Sequence, residues 1–357
     1  MHKGILYALL AAITFGASTP LAQILLVKVA PVAPLALAGL LYLGSGLGLL
    51  IWFLLRSFGA PKDAGSRLKA FDLPWLAAAI VFGGIAGPVL LMFGLTRIPA
   101  AQASLLLNLE GVLTALLAWF VFKENFDRKI LLGMLLILAG GCVLVWQQWP
   151  AAGEPWRGLS GALAIVGACL CWGIDNNLTR KVAGSDAVQI AGVKGLVAGA
   201  VNLSLALTLG ISLPPMTTML IAGVLGFCGY GLSLVLFVLA LRHLGSARTG
   251  AYFSAAPFVG AGVSMLLLQQ LPANGFWLAI CLMAAGIVLH LIEKHEHPHA
   301  HDAVEHSHQH SHGLHHQHEH EHDYVAGEPH THTHPHKHEA LEHAHPHFPD
   351  TEHRHKH

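Results

Sequence analysis

Long apolar stretches, separated by short polar or Pro/Gly-containing joints, follow one another along the chain from Gly4 to Ile292. A helix that crosses a bilayer needs about 20 consecutive, mostly apolar residues. Ten stretches approach this length, so the pattern predicts an all-α integral membrane protein with ten transmembrane helices. The predicted spans are 4–27, 33–55, 73–95, 99–122, 130–148, 159–179, 187–209, 216–240, 247–268 and 275–292.

Composition differs between two parts of the chain. Of the 357 residues, 54% are hydrophobic and only 11% are charged, which fits a protein whose solvent is lipid. Residues 1–294 carry 17 Lys or Arg and 9 Asp or Glu, whereas residues 295–357 carry 3 and 11. The predicted bundle and the tail that follows it therefore have formal charges of +8 and −8.

Basic residues in the short loops predict how the helices are oriented, because Lys and Arg near the end of a span resist translocation. One set of alternate loops carries thirteen of them, and the opposite set carries only Lys28, Arg97 and Arg157. The richer set includes both ends of the bundle, which predicts an inner (plasma) membrane protein with both termini in the cytoplasm. Its members are Lys3, Arg56, Lys62, Arg67, Lys69, Lys123, Arg128, Lys129, Arg180, Lys181, Arg242, Arg248 and Lys294.

The two halves of the predicted bundle resemble each other. The segment that starts at Leu95 matches the segment that starts at Leu241 without a gap, at a constant offset of 146 residues. The sequence around Phe15 likewise resembles the sequence around Trp172. Each half holds five predicted helices, an odd number, so the second half is expected to be inverted in the membrane. We predict a first five-helix repeat at 1–148, a second at 149–293 and a tail at 294–357.

The fourth predicted helix and the residues after it read LEGVLTALLAWFVFKENFDRKILLGMLLILAG. This stretch resembles the drug/metabolite transporter superfamily, specifically its EamA-like branch of ten-helix carriers with an L-E-P-V-x-T-A-L pattern. The chain departs from that pattern at Gly111, where the family usually has proline. In the second half Pro257 is kept, but Ala256 replaces the glutamate. The resemblance implies secondary transport of a small organic solute, often export, with any glutamate-based coupling confined to the first half.

Three ionisable side chains stand out in the interior of the predicted spans, and each is expected to cost at least about 2.5–3.5 kcal/mol on insertion scales. Glu110 lies near the middle of the fourth span. Because an apolar medium disfavours the charged form of a carboxyl group, Glu110 is suited to carrying a coupling proton. The alternative is a structural acid with a permanent partner, for example Lys194.

Asp175 and Asn176 in the sixth span are expected to line a pathway for substrate or cations. Asn177 is expected to meet a neighbouring helix or the membrane interface, because successive residues of a helix are rotated by about 100°. Lys194 in the seventh span is either a counter-ion or a side chain that extends to the cytoplasmic surface. Asn108 completes the predicted transport pathway. A hydrogen-bond network between helices is the alternative for the polar residues of this group.

Histidine dominates the tail, which holds 24 of the 27 histidines of the chain between His295 and His357. Because the tail has almost no apolar residues, it is predicted to be disordered. Neutral imidazole favours Zn, Ni, Co and Cu ions, so the tail is predicted to bind such ions, although no cofactor is required for function. The predicted metal ligands are His306, His308, His310, His312, His315, His316, His318, His320, His322, His330, His332 and His334.

Three functions are compatible with these features. The first is a secondary transporter, acting as an exporter of a small solute, with a metal-binding cytoplasmic tail. The second is a carrier of a transition-metal ion or metal chelate, and the third is a non-transporting membrane metal buffer or sensor. An enzyme is not expected, because the loops show no nucleophile–base pair or phosphate-binding loop. The expected partners are the lipid bilayer and a small-molecule or metal-linked substrate, with no nucleic acid; a homodimer is compatible with the sequence.

Overall fold

A computed structural model describes residues 2–29, 32–57, 72–122, 128–151, 156–179, 187–244, 246–269, 272–292, 296–301, 304–310, 332–338 and 341–346. The chain divides into two compact units, Met1–Glu293 and Lys294–His357. Most described residues of the first unit are helical, and those of the second unit form strands. The predicted division of the first unit into repeats at residue 148 stays a prediction.

Helices form throughout the apolar stretches because a helix satisfies its backbone polar groups within the segment, as a bilayer requires. The α-helices of the first unit are α1 (His2–Ile24), α2 (Pro34–Ser57), α3 (Leu73–Ala79), α4 (Gly87–Leu95), α5 (Ala100–Leu106), α6 (Leu109–Phe122), α7 (Arg128–Trp146), α8 (Arg157–Thr179), α9 (Ala187–Thr208), α10 (Met216–Gly226), α11 (Ser233–Leu244), α12 (Ser246–Phe253), α13 (Ala256–Leu268) and α14 (Asn274–Ile292). Wider π-helical turns continue some of them: Leu25–Val29 after α1, Ile80–Ala86 between α3 and α4, and Phe227–Leu232 between α10 and α11.

Eight helical stretches of the described residues are long and apolar enough to cross a membrane. They correspond to the first eight predicted spans, as with Pro34–Leu55 for the predicted span 33–55. The ninth and tenth predicted spans contain shorter apolar helices, Ala256–Leu268 and Asn274–His290. The ninth is shorter because the helix is interrupted at Ser254 and Ala255. An all-helical membrane unit is therefore confirmed, whereas ten crossings and an inverted second half stay predictions.

Large apolar side chains cover much of the outside of the first unit. Leu266, Phe120 and Leu55 are 79%, 72% and 68% exposed. Such a surface is unfavourable in water but suits lipid tails, which are themselves apolar. Beneath it, side chains such as Leu37 and Leu105 are fully buried between the helices.

Helices of the first half pack against their counterparts in the second half. α2 lies along α9, and α7 lies along α14. The contacts of the first helix in each half are also equivalent. α1 packs against α11 and α13 of the second half, and α8 packs against α4 and α6 of the first half. The close approach of α2 and α9 depends on glycine, since a Cβ atom at Gly195 would lie 2.8 Å from the backbone nitrogen of Gly46. The two halves are therefore joined through equivalent surfaces.

Irregular backbone also recurs at corresponding places in the two halves. The π-helical segment Ile80–Ala86 corresponds at the 146-residue offset to 226–232, and a π-helical segment is present there at Phe227–Leu232. The turn between α5 and α6 includes Asn108, and its counterpart between α12 and α13 includes Ser254. Interrupted helices are thus a shared property of both halves.

The tail contains two antiparallel pairs of strands. The strands are β1 (Glu296–His301), β2 (Val304–His310), β3 (His332–His338) and β4 (Leu341–Pro346), with β1 paired to β4 and β2 to β3. The register of β2 and β3 places His306 opposite His336, His308 opposite His334 and His310 opposite His332. In these strands histidine alternates with other residues, and a period of two is also that of a strand. The predicted disorder of the tail stays a prediction.

Candidate functional site

Glu110 lies in the first turn of α6, directly after the turn that contains Leu107 and Asn108. A negative side chain is favoured at this position, because the N–H groups of a first helical turn lack helical partners. The side chain is partly buried, and its Oε1 accepts a hydrogen bond of 3.0 Å from Nδ2 of Asn176. The structure therefore brings together two of the predicted pathway residues, one from α6 and one from α8.

Thr114 extends the contact between α6 and α8. Nδ2 of Asn176 also donates to Thr114 Oγ1 at 3.2 Å, and that hydroxyl donates to the Glu110 carbonyl at 2.8 Å. Nδ2 of Asn177 donates to the carbonyls of Thr114 at 3.1 Å and Gly173 at 2.8 Å. Asn177 thus meets a neighbouring helix, as the sequence predicts. Both asparagines join α8 to α6 rather than to α9.

Asp175 forms an ion pair with Lys194 of α9. The lysine Nζ donates to Oδ1 at 2.5 Å and to Oδ2 at 2.7 Å. The Thr179 hydroxyl donates to Asp175 Oδ1 at 2.9 Å and accepts from Lys194 at 3.2 Å. The side chains of Lys194 and Asp175 are only 15% and 10% exposed. Lys194 is therefore a counter-ion within the bundle, and its partner is Asp175 and not Glu110.

Gly83, in the π-helical segment between α3 and α4, makes room for the Asp175 carboxylate. A Cβ atom at Gly83 would overlap Asp175 Oδ2. The Gly83 carbonyl accepts hydrogen bonds from the Tyr42 hydroxyl at 2.8 Å and from Trp172 Nε1 at 3.0 Å. A π-helical turn departs from the regular i to i−4 bonding, so its carbonyls can accept bonds from side chains. Side chains of α2 and α8 are thereby attached to this segment.

Sequence reasoning does not single out Gly83, Tyr42 or Trp172 as site residues. A signal is present for each of them. Adjacent glycines at 83 and 84 within an apolar span indicate close approach by another helix. Buried Tyr and Trp side chains usually find a hydrogen-bond partner for their polar atom. What the sequence does not reveal is that these three residues share one carbonyl.

The contact between Gly83 and Asp175 has a counterpart in the second half. Gly229 corresponds to Gly83 at the 146-residue offset, and a Cβ atom there would lie 2.6 Å from Cβ of Ser18. Ser18 corresponds to Asp175 in the match between the sequences around Phe15 and Trp172. The same close approach therefore occurs in both halves, but only the contact of Gly83 involves a carboxylate, since Gly229 meets a serine.

Asn108 lies in the interruption itself. Its Nδ2 donates to the Leu105 carbonyl at 3.0 Å and lies 3.7 Å from Sδ of Met283 on α14. The side chain thus closes the local turn and contacts a helix of the second half. Asn108 belongs to the same region as Glu110, which follows it by two residues in the chain.

Gly83→Ala is expected to weaken the Asp175–Lys194 pair, because the added methyl group takes the space of the carboxylate. Overpacking of this kind costs about 1–3 kcal/mol, which will lower the melting temperature of the purified protein. Gly223→Ala is the matched control, since a Cβ atom at Gly223 meets nothing within 4 Å. Equal melting temperatures for the two variants would contradict the role given to Gly83.

The predicted metal ligands lie in the tail. The described residues hold no group of three or more His, Cys, Asp or Glu that could bind a metal ion. His306, His308, His310, His332 and His334 lie in β2 and β3. Outside the described residues are His312, His315, His316, His318, His320, His322 and His330. Metal binding by the tail stays a prediction.

The fold and the site define an integral membrane protein of two related helical halves, with hydrogen-bonded charges held between its helices. Two successive segments, residues 2–146 and 159–292, match the model of the EamA-like transporter family. The chain belongs to this family and is a transporter. Membership agrees with the expectation that the protein is not an enzyme.

Comparison with individual proteins supports the same class. An uncharacterised transporter of Methanothermobacter thermautotrophicus is 27% identical over 276 residues, which cover 75% of this chain and 80% of the relative. A probable terminal-alkyne amino-acid exporter of Streptantibioticus cattleyicolor is 25% identical over 226 residues, 62% of this chain and 74% of the exporter. The probable 4-amino-4-deoxy-L-arabinose-phosphoundecaprenol flippase subunit ArnE of Pseudomonas fluorescens is 39% identical over 110 residues, 28% of this chain and 95% of the subunit. One crystal structure has a similar fold, with a TM-score of 0.59 at 20% identity over 80% of this chain and 94% of that chain.

Proposed function

We propose that the protein is a secondary transporter that exports a small solute across the inner membrane, with Glu110, Asp175, Asn176, Lys194 and Asn108 along its pathway. One observation carries this proposal: a carboxyl group and an ion pair are held inside the helical bundle, beside helix interruptions that recur in both halves. Charged groups at membrane depth are costly and mark the pathways of solutes or protons. Interrupted helices at corresponding positions of two halves are typical of transporter binding sites.

The conformational change is a movement of one half against the other. In the proposal, the five helices of the second half are inverted relative to those of the first, so that the site faces each side of the membrane in turn. The packing of α2 on α9 and of α7 on α14 gives the two halves extended surfaces on which to move. Both termini then lie in the cytoplasm, in agreement with the excess of basic residues in one set of loops.

Glu110 carries the coupling proton in this mechanism. The ionised carboxylate accepts the hydrogen bond from Asn176, and protonation weakens that bond because a neutral carboxyl oxygen is a poorer acceptor. The contact between α6 and α8 therefore responds to the proton. Asp175 is held by Lys194 and Thr179, so its role is to recognise the solute or to close the pathway.

Export is the direction that the relatives favour. The name of the Streptantibioticus cattleyicolor relative describes an amino-acid exporter, and that relative matches 62% of this chain. A pathway with a carboxylate, an ammonium group and an amide suits a solute with its own polar or charged groups, since each can form a charge-assisted hydrogen bond. We therefore assign the cargo to small polar organic molecules.

The tail supplies a second candidate, in which the cargo is a metal ion or a metal chelate. The observation that favours it is the density of histidine, with 24 of the 27 histidines in residues 295–357. A chain segment with so many imidazoles is expected to bind Zn, Ni, Co or Cu ions whether or not they are the cargo. No metal-binding cluster lies among the described residues of the helices, so the organic solute remains the leading proposal.

Removal of the tail separates these functions. Cells that express the full-length protein or a form that ends at Glu293 are compared with cells that lack the protein, for content of the four metals and of organic metabolites. We expect both forms to lower the content of the same solute, whereas only the full-length protein retains metal. Retained metal will be released when the pH is lowered well below the pKa of free imidazole, about 6.5, because protonated imidazole does not bind metal.

Two outcomes would count against this division of roles. Equal metal retention by both forms would refute metal binding by the tail. Loss of solute export in the shortened form would favour a buffer or sensor, because a transporter does not need the tail for its pathway.

A further inference from the structure

We infer that a depression at one end of the helical bundle binds a phosphate group through Arg97 and Arg157, a function separate from the solute pathway. The depression has a volume of about 590 Å³ and is lined by Thr96, Arg97, Trp156, Arg157 and Ser160. It lies where the turn after α4 meets the start of α8. Guanidinium groups bind phosphate oxygens with two parallel hydrogen bonds, which makes this pair of arginines a suitable receptor.

Both guanidinium groups are held in place, and their contacts with the described residues leave most of their N–H donors unused. Arg97 Nη1 donates to the Ser160 hydroxyl at 2.7 Å, and Arg157 Nη2 donates to the Thr96 carbonyl at 3.1 Å. The Arg97 guanidinium also lies 3.8 Å from the ring centroid of Phe93. Each guanidinium has five N–H donors, so donors remain for a ligand. Within the described residues, no carboxylate forms an ion pair with either arginine.

The turn that carries Arg97 is fixed by α1. The Gln23 amide donates to the carbonyls of Leu95 and Ile98, both at 2.7 Å. Its Oε1 accepts from the Ala100 backbone N–H at 3.0 Å. Three hydrogen bonds from one buried side chain hold this turn, so Arg97 is positioned before a ligand arrives. Such preorganisation reduces the entropy that binding must lose.

Positive charge is unusual at this end of the bundle. Arg97 and Arg157 are two of only three basic residues in their set of loops, against thirteen in the opposite set. Two like charges that line one depression repel each other, and an anion between them removes that repulsion. An anionic ligand would therefore stabilise both arginines in this depression.

Three tryptophans place the depression at the depth of lipid headgroups. Trp149 lies between Trp146 and Trp156, with ring centroids 5.8 Å and 5.7 Å apart. Trp146 is 73% exposed, Trp149 is 55% exposed and Trp156 is 60% exposed. Exposed tryptophans at the ends of membrane helices mark the lipid–water interface. The same phosphate chemistry is offered by a lipid headgroup and by free phosphate, and this depth favours the lipid.

The test measures binding of short-chain phosphatidylglycerol, phosphatidylcholine and inorganic phosphate to the full-length protein in detergent, by the shift of the melting temperature with ligand concentration. We expect phosphatidylglycerol to stabilise the native chain and Arg97→Gln/Arg157→Gln to bind it at least about tenfold more weakly. Lys28→Gln is the matched control, because it removes the third basic residue of the same set of loops and leaves the depression intact. Arg97→Lys/Arg157→Lys keeps the charge and should lose part of the affinity.

Each result has a defined meaning. An equal effect of inorganic phosphate, lost in the double glutamine variant, would support the phosphate site with the free ion as its ligand. Equal binding by the native chain and the double variant, or no stabilisation of the native chain, would overturn the inference. Binding that appears only after Glu154→Gln would also overturn it, since the arginines of the native chain would then be neutralised by that acid. None of these measurements depends on transport, so they do not test the proposed export.

Discussion

Glu110→Gln is expected to reduce pH-driven export to the level of cells that lack the protein. Glutamine has nearly the same shape and keeps an oxygen that can accept the hydrogen bond from Asn176 at 3.0 Å. It cannot bind and release a proton, so the step that couples export to the pH gradient is lost. The measurement is efflux of the identified solute from proteoliposomes with and without a pH gradient.

Two further variants make this experiment specific. Exchange of solute for solute across the membrane needs no net proton movement, so Glu110→Gln should retain it if Glu110 acts only in coupling. Glu110→Asp keeps a carboxyl group and should retain part of the pH-driven flux. Asn176→Ala leaves the carboxyl group but removes its partner, so it should shift the pH dependence without abolishing transport. Unchanged pH-driven flux in Glu110→Gln would remove Glu110 from the mechanism.

Asp175→Asn is expected to be among the most destabilising single changes in the membrane unit. The new amide oxygen can still accept a hydrogen bond, but the Lys194 ammonium, 15% exposed, loses the negative charge that compensates it. An uncompensated buried charge of this kind costs about 3–5 kcal/mol. The cost will be measured as a lower melting temperature and a lower yield of monodisperse protein in detergent.

The double variant Asp175→Asn/Lys194→Met separates stability from function. Methionine fills the space of the lysine stem without a charge, so most of the lost stability should return. A folded double variant that does not transport places the ion pair in the pathway. A double variant that transports like the native chain would show that the pair only holds α8 to α9.

The helices of the first unit could be predicted because each apolar stretch carries its own signal. The partners of the charged residues could not, because they depend on the directions from which other helices approach α8. Asp175 and Asn176 are neighbours in sequence, yet a rotation of about 100° directs one to Lys194 on α9 and the other to Glu110 on α6. The sequence singles out all four residues, but it leaves open whether Lys194 pairs with Glu110, with another anionic group or with none, and the structure pairs it with Asp175.

Backbone irregularities were the other part that the sequence did not reveal. The ninth predicted span, 247–268, is long enough for one continuous helix, and its proline at 257 does not by itself show that the helix is interrupted at Ser254 and Ala255. The π-helical segment Ile80–Ala86 reads as ordinary apolar helix. Only its two glycines hint that a carboxylate approaches there, and the carboxylate lies 92 residues from Gly83 along the chain. Long-range contacts of this kind are set by packing and not by local pattern.

The ion pair between Asp175 and Lys194 also bears on how the chain enters the membrane during synthesis. The two residues are 19 positions apart and lie on consecutive helices, α8 and α9. Each alone would cost about 2.5–3.5 kcal/mol on insertion, but two opposite charges on consecutive helices can offset part of that cost for each other. The second half of the protein therefore begins with two helices whose buried charges compensate each other and need no partner from the helices that follow.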